Sequence, residues 1–297
     1  MKNSEIVHVV GYGWDENGIS LRIRSWPNRG AVSSLKLQGK FRFRRTPERQ
    51  CIGFHDFAQH VRLPCPEQAI AVKQQCNACI EREGFTVWLR SDGRLVPELK
   101  PAVRAYIEKD HVLYLACFGD ATIKVGMAAE QRKFYRVWDQ GPLAAYYVAK
   151  ADGLTIRQLE VEVSQLGYTE FMRRGRKLEL LTSGMSQTRA FSLLDTALQQ
   201  IRQQLPHGYA ELISTQPEPV PQPLGALAAR EFRELEELKP TEQQIFEVDV
   251  MGASGSILVL DNGGIRAAMD LNELIGWVTE LNPQGEVKRE ARQMGLF

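Results

Sequence analysis

The sequence predicts an α+β protein in which antiparallel β units at the two ends flank a small central α/β core. Three observations carry this. Both ends hold strand-length apolar runs bounded by Gly, Asp and Asn turns. The tract from His111 to Glu162 switches twice from strand pattern to helix pattern. A group of four cysteines lies between the N-terminal unit and that tract. At 297 residues, 43% of them hydrophobic, the chain can build two or more compact units with real cores. The boundaries suggested are 1–50 for an N-terminal β unit, 51–105 for a metal-binding segment and 106–205 for the core. A proline-rich linker with a charged helix follows at 206–240, and a C-terminal β unit at 241–297.

In the first unit, Ile6–Val10, Ile19–Ile23 and Lys40–Arg44 read as strands of a small sheet, separated by Gly-rich or Asp-Glu-Asn-Gly turns. Net charge is only +1, yet nine Lys/Arg and a single acid, Glu48, fall between Arg22 and Arg49. Such a stripe, with Arg42 and Arg44 at its centre, can face a polyanion. It can equally be the solvated side of a two-sided strand, because Phe41-Arg42-Phe43-Arg44 alternates as any such strand must. Gly11-Tyr12-Gly13 is no phosphate loop, since neither the lysine nor the helix of one follows.

Cys51, Cys65, Cys76 and Cys79 are spaced C-x13-C-x10-C-x2-C. The closing Cys76-Asn77-Ala78-Cys79 is a knuckle whose two thiolates can bind one tetrahedral ion, which points to a structural zinc. His55 and His60 lie between the first two cysteines, so a mixed set such as Cys65, Cys76 and Cys79 with one histidine stays open. A closed four-ligand site leaves no position for water and builds structure instead of catalysing. The fifth cysteine, Cys117, falls mid-strand and reads as a small apolar residue. Phe85–Arg90 reads as a further strand, followed by a Ser-Asp-Gly-Arg turn and a connection through Pro97 and Pro101.

In the core, Val112–Phe118 is a buried strand ended by Gly119-Asp120, and Thr122–Gly126 is a second. A helix is expected between Gly126 and Trp138, a third strand at Ala144–Lys150, and a helix capped by Asp152 or Thr155. Arg173-Arg174-Gly175-Arg176-Lys177 is a second basic cluster. Phe191–Leu205 has the spacing of a packing helix, and the prolines of 216–224 make an extended connector. A charged helix is expected at Leu227–Leu238. Strands Phe246–Met251 and Ser256–Leu260 then open the last unit, whose Gly252–Ser256 turn runs into a strand and lacks a phosphate-loop lysine.

The order strand, strand, helix, strand, helix, with Tyr114 on the first strand and Lys124-Val125-Gly126 on the second, resembles the GIY-YIG nuclease superfamily in its divergent, lysine-containing branches. The lysine where the family writes its second tyrosine is the main departure. The whole chain, with its cysteine cluster upstream of this core, is also similar to a prokaryotic family of unknown function. The nuclease resemblance implies a catalytic set of Tyr114, Lys124, Arg132, Arg136 and Glu160. Tyr114 would orient or activate water, Arg132 or Arg136 would hold phosphate, Lys124 would add positive charge, and Glu160 would hold Mg²⁺ or Mn²⁺. Arg42, Arg44, Arg173, Arg174, Arg176 and Lys177 would contact the backbone of DNA or RNA.

Each of these residues also has a plain structural reading. Tyr114 can pack in the sheet, Arg136 can pair with Asp139 or Glu130, and Glu160 can sit on a solvated helix face. The function expected is therefore nucleic-acid processing by a metal-dependent endonuclease or phosphodiesterase, with a non-catalytic zinc-containing nucleic-acid-binding protein or a scaffold as alternatives. No signal peptide or membrane span is visible, so a cytoplasmic location without a membrane partner is expected.

Overall fold

The computed structural model describes residues 4–70, 72–94, 98–170, 180–226, 235–242 and 244–287. Strands β1 (Glu5–Asp15), β2 (Gly18–Ser25), β3 (Ser33–Lys36) and β4 (Gly39–Arg49) open the chain. A short hairpin follows, β5 (Phe54–Asp56) with β6 (Val61–Leu63), then helices α1 (Asn77–Glu83), α2 (Thr86–Leu89) and α3 (Pro101–Ile107). The central tract runs β7 (Asp110–Cys117), β8 (Ile123–Ala129), α4 (Lys133–Trp138), β9 (Ala144–Asp152) and α5 (Gly153–Gln165), in the expected order. Helix α6 (Gln187–Gln204) and the two-residue strands β10 (Glu218–Pro219) and β11 (Glu236–Glu237) lead to β12 (Phe246–Ser254), β13 (Ile257–Asp261), β14 (Arg266–Asp270) and β15 (Trp277–Leu281).

The β units expected at the two ends share one sheet of nine strands, ordered β11-β14-β13-β12-β4-β15-β1-β2-β3 and antiparallel except where β11 meets β14. Strand β4 lies between β12 and β15, so the ladder itself ties the first fifty residues to the last fifty. A second sheet, β10-β9-β7-β8, has β7 at its centre. Its alternation explains the unbroken apolar run of the sequence. Val112, Tyr114 and Ala116 pack with Val7, Phe43 and Leu258 of the large sheet, while Leu113, Leu115 and Cys117 pack on Ile156 and Leu159 of α5 and Leu194 of α6. A strand covered on both faces needs apolar residues at every position.

Asp152 caps α5 by accepting from the amides of Leu154 and Thr155, which anchors the helix that carries Glu160. Trp138 is buried in the core and its indole N–H donates to the Pro221 carbonyl, fixing the proline segment as the extended connector the sequence suggests. Cys117 is fully buried, and burial pushes its thiol up to about 11, as suits an inert core residue.

Three expectations change. Residues 85–90 form the helical turn α2 and not a strand. Phe85 and Trp88, three apart, fall on one side of that turn and join Leu99, Val103 and Ile107, while Val87 and Leu89 are left exposed. The helix expected from Gly126 starts later, because Met127–Ala129 continue the ladder opposite His111–Leu113. Of the charged helix expected at 227–238, residues 227–234 lie outside the described residues, and Glu236–Glu237 pair with β14 as a strand.

Candidate functional site

Two sites emerge, a pocket beside β7 and β8 and a cluster of sulfurs next to the β5–β6 hairpin. The pocket has a volume of about 420 Å³, and Tyr114, Lys124, Arg132, Arg136 and Glu160 all line it. Strand register brings the first two together. Tyr114 lies opposite Gly126 and Ala116 opposite Lys124, so period-two alternation puts Lys124 and Gly126 on the Tyr114 face. Arg132 and Arg136 come from the turn and helix that follow β8, and Glu160 from the second turn of α5.

Gly126 is the condition for the tyrosine. A Cβ at this position would overlap the Tyr114 ring and hydroxyl, so the phenol lies across bare backbone. Gly126→Ala is expected to destabilise the fold by about 2 kcal/mol or more, since a fully buried ring has no room to yield. Thermal denaturation checks this, and an unchanged melting temperature would show that the ring is free to move.

Tyr114 is completely buried, and its hydroxyl meets no partner at full hydrogen-bond geometry among the described residues, Arg136 being the charged group beside it. Burial pushes the phenol up to about 12, with the neighbouring Arg136 cation pulling the other way. At neutral pH it is therefore a protonated donor and not a base. Arg132 and Arg136 are exposed. Glu130 is taken by Lys133 and Lys150.

Glu160 is buried and not on a solvated helix face. Its Oε2 accepts from Arg157 Nη1 at 2.5 Å, and the same nitrogen meets Glu170 Oε2 at 3.0 Å. Arg157 is held in turn by the Ser91 carbonyl, 2.9 Å from Nε. Burial raises the Glu160 carboxyl above the ordinary glutamate value, Arg157 opposing it and Glu170 adding to it. Arg157 bonds Oε2 of each carboxylate, and a buried acid beside a half-buried one at a pocket wall suits a hard cation. Lys124, 6% exposed, donates to the Glu170 carbonyl at 2.6 Å, so part of its work is to hold the residue 170 backbone.

Arg157, Glu170, Tyr106 and His111 also line the pocket and were not singled out by sequence. His111 is buried, with Nδ1 2.8 Å from the Lys109 carbonyl and its ring edge-on to Tyr106. Arg157 carries a legible signal, since it precedes Glu160 by three on the same helix, the spacing of an ion pair. Glu170 carries none, as it follows the helix in irregular chain.

The two central arginines of the basic stripe are neutralised. Arg42 pairs with Glu247 at 3.2 Å and Arg44 with Glu280 at 2.5 Å, each with the residue directly opposite it in the ladder. Arg42 and Arg44 are therefore cross-strand partners of acids. Arg173, Arg174, Arg176 and Lys177 lie outside the described residues.

The sulfurs of Cys51, Cys65, Cys76 and Cys79 lie within 4.8 Å of one another, close enough to hold one metal ion, and neither His55 nor His60 joins them. Cys51 follows β4, Cys65 follows the hairpin, Cys76 is the N-cap of α1 and Cys79 sits in its first turn. The amides of Gly53 and Cys76 donate to Cys51 Sγ. Gly53 has φ +80° and backs onto the Leu63 carbonyl, where a side chain has no space, so the chain can turn back and bring Cys51 to Cys65.

No helix among the described residues is long and apolar enough to cross a membrane. Comparison with family models, with curated proteins and with solved structures finds no match to this chain.

Proposed function

We propose that this chain is a nucleic-acid-processing protein whose central tract is a divergent GIY-YIG-like core, and that its pocket cleaves phosphodiester bonds of DNA or RNA. The observation that carries the reading is the convergence of Tyr114, Lys124, Arg132, Arg136 and Glu160 on one cavity. These residues come from two strands, a turn and two helices.

The chemistry follows from the groups present. A phosphodiester undergoing in-line attack gathers negative charge, which the exposed guanidinium groups of Arg132 and Arg136 offset. Tyr114, protonated and beside Arg136, donates to the attacking water or to a phosphoryl oxygen. Mg²⁺ or Mn²⁺ held by Glu160, with Glu170 beside it, would supply Lewis acidity and lower the pKa of water. In the same reading the four thiolates hold a structural zinc. Zinc–sulfur bonds of about 2.3 Å in a tetrahedron separate sulfurs by about 3.8 Å, and Cys65 Sγ and Cys76 Sγ are 3.8 Å apart.

The test is cleavage of end-labelled single-stranded DNA, duplex DNA and RNA with Mg²⁺ or Mn²⁺. Arg136→Ala is expected to slow cleavage at least about tenfold by removing a phosphate contact made in the transition state. The burial of Lys124, where the resembling family has a tyrosine, favours the second reading, a non-catalytic nucleic-acid-binding protein. That reading takes first place if the wild type binds but cuts none of the three substrates.

A further inference from the structure

A second, larger cavity adjoins the pocket and gives the proposed activity a substrate form. Its volume is about 1100 Å³, and Phe85, Tyr106 and Arg132 line both cavities, so the two adjoin at these side chains. Its walls come from β2, the loop after β2, the β5–β6 hairpin that the cysteine cluster pins in place, α3 and the start of α4.

Charge and rings distinguish this groove from an ordinary crevice. Arg22, Arg24, Arg29, Arg62 and Arg132 line it, against the single carboxylate of Glu83. Glu83 is already committed, since its Oε2 accepts from the His55 amide and from Gln75 Nε2, both at 2.9 Å. Arg24 is buried and spends its guanidinium on the carbonyls of Gly30 and Arg62, which fixes the wall. Arg22 and Arg132 are exposed, and neither forms an ion pair with a described acid. Five arginines around one groove repel each other unless a polyanion lies among them.

Rings run along the floor toward the pocket. His55 meets Phe57 edge-on at 4.8 Å, Phe57 stacks on Phe85 and meets Tyr106, each at 5.0 Å, and Tyr106 meets His111 at 5.6 Å. Tyr135 adds a further ring at the rim. Phe57, Phe85 and Tyr106 are half-buried and packed on one another, and Tyr135 is the exposed ring; arginines that track a backbone beside such rings are what unpaired nucleotides need. A duplex keeps its bases stacked inside and could use only the charges.

Resting on the proposed nuclease reading, we infer that this groove binds a single-stranded polynucleotide segment and leads its phosphodiester past Tyr106, Phe85 and Arg132 into the pocket. Arg22 of β2 and Arg29 of the loop that follows hold the backbone, and the hairpin beside the cysteine cluster forms the opposite wall.

Fluorescence anisotropy on the full, metal-replete chain tests this, without added divalent ion so that nothing is cleaved. The probes are single-stranded DNA and RNA of about 16 nucleotides and the duplex of the same DNA sequence. The wild type is expected to prefer a single strand. The double variant Arg22→Glu/Arg29→Glu, at positions outside the proposed catalytic set, is expected to lose at least about tenfold in affinity and about one unit of salt slope. Arg189→Glu/Arg266→Glu, the same charge change at exposed positions outside both cavities, is expected to stay within about twofold. Which single strand binds more tightly separates DNA from RNA.

Preference for the duplex, or full affinity in the Arg22/Arg29 variant, overturns the groove. Lost binding in that variant together with no cleavage by the wild type upholds the groove and sinks the nuclease reading alone. Cleavage by a wild type whose affinity is untouched by the groove substitutions does the reverse.

Discussion

Glu160→Gln is expected to lower divalent-ion-dependent cleavage by at least about a hundredfold while leaving the fold intact. The amide keeps the size of the carboxylate and deletes a charge that would hold a cation in a pocket whose other charged walls are Lys124, Arg132, Arg136, Arg157 and one acid, Glu170, which Arg157 engages. Lysine and arginine repel a divalent ion, so no cationic neighbour can take over. The fold survives because the charge is held there at a cost. Burial is the largest influence on this carboxyl and outweighs the attraction of Arg157, so its folded pKa stands above the ordinary glutamate value. A raised carboxyl pKa means that the folded chain binds the proton more tightly than the unfolded chain. The stability this group contributes is greatest below the ordinary glutamate range and is lost as pH rises through the folded value. A permanently neutral glutamine avoids that loss, and Arg157 keeps Glu170 and the Ser91 carbonyl.

The same shift sets the acid side of the pH profile. Cleavage should rise with pH along a limb placed above the ordinary glutamate value, because only the ionised carboxylate binds a cation, and Glu160→Gln should remove that limb with the activity. Glu162→Gln is the control, since Glu162 pairs with Arg94 on another side of the helix and does not line the pocket. Activity that persists in Glu160→Gln would place the reaction elsewhere on the chain.

What the sequence disclosed depended on whether the relevant contacts were local. The central strands were legible because Val112–Phe118 is covered on both faces and so is apolar throughout, and α5 was legible from the Asp152 cap. The cysteine spacing survived because a ligand set is written in residue types, whatever the chain does between them. The basic stripe misled for the opposite reason. The acids that neutralise Arg42 and Arg44 are Glu247 and Glu280, on strands about two hundred residues later that pair with β4. No local pattern announces that pairing. The groove arginines were hidden in the same stripe, and only the hairpin and α3 folding over them separates Arg22 and Arg29 from Arg42 and Arg44. In the pocket, Glu170 follows its helix in irregular chain, so no periodicity could place it beside Glu160. Residues 85–90 look like a strand because four of the six are apolar. The rings of Phe85 and Trp88 decide for a helix by sharing one cluster.

Cys76→Ser is expected to reduce bound zinc from about one ion per chain to none and to release the segment from Cys51 to Glu83, while the two main sheets stay folded. Cys76 would be one of the four ligands, occupies the N-cap position of α1 and donates its amide to Cys51 Sγ, so it joins the start of the segment to α1. The local core cannot hold without the ion. Among the described residues the sulfur cluster contains, besides the four cysteines, only the half-buried Phe54 and Ala69, and the segment otherwise buries little beyond Ile52 and Phe57, which is too little apolar surface to offset the ordering of some thirty residues. Thiolate binding of zinc carries an apparent free energy on the order of 10 kcal/mol, and here that is folding energy. The large sheets have their own core, in which none of these four cysteines takes part. Elemental analysis and limited proteolysis read the outcome, with new cleavage expected between β4 and α2 and little change in far-UV circular dichroism. Wild-type protein stripped by a chelator should give the same proteolytic pattern. Cys117→Ala should keep its zinc, because that thiol lies in the other core. Because the β5–β6 hairpin walls the groove, loss of the metal should also weaken single-strand binding with Arg22 and Arg29 still in place. A Cys76→Ser chain that resists protease as well as the wild type would mean that the sulfurs are packed thiols and that the hairpin stands without a metal.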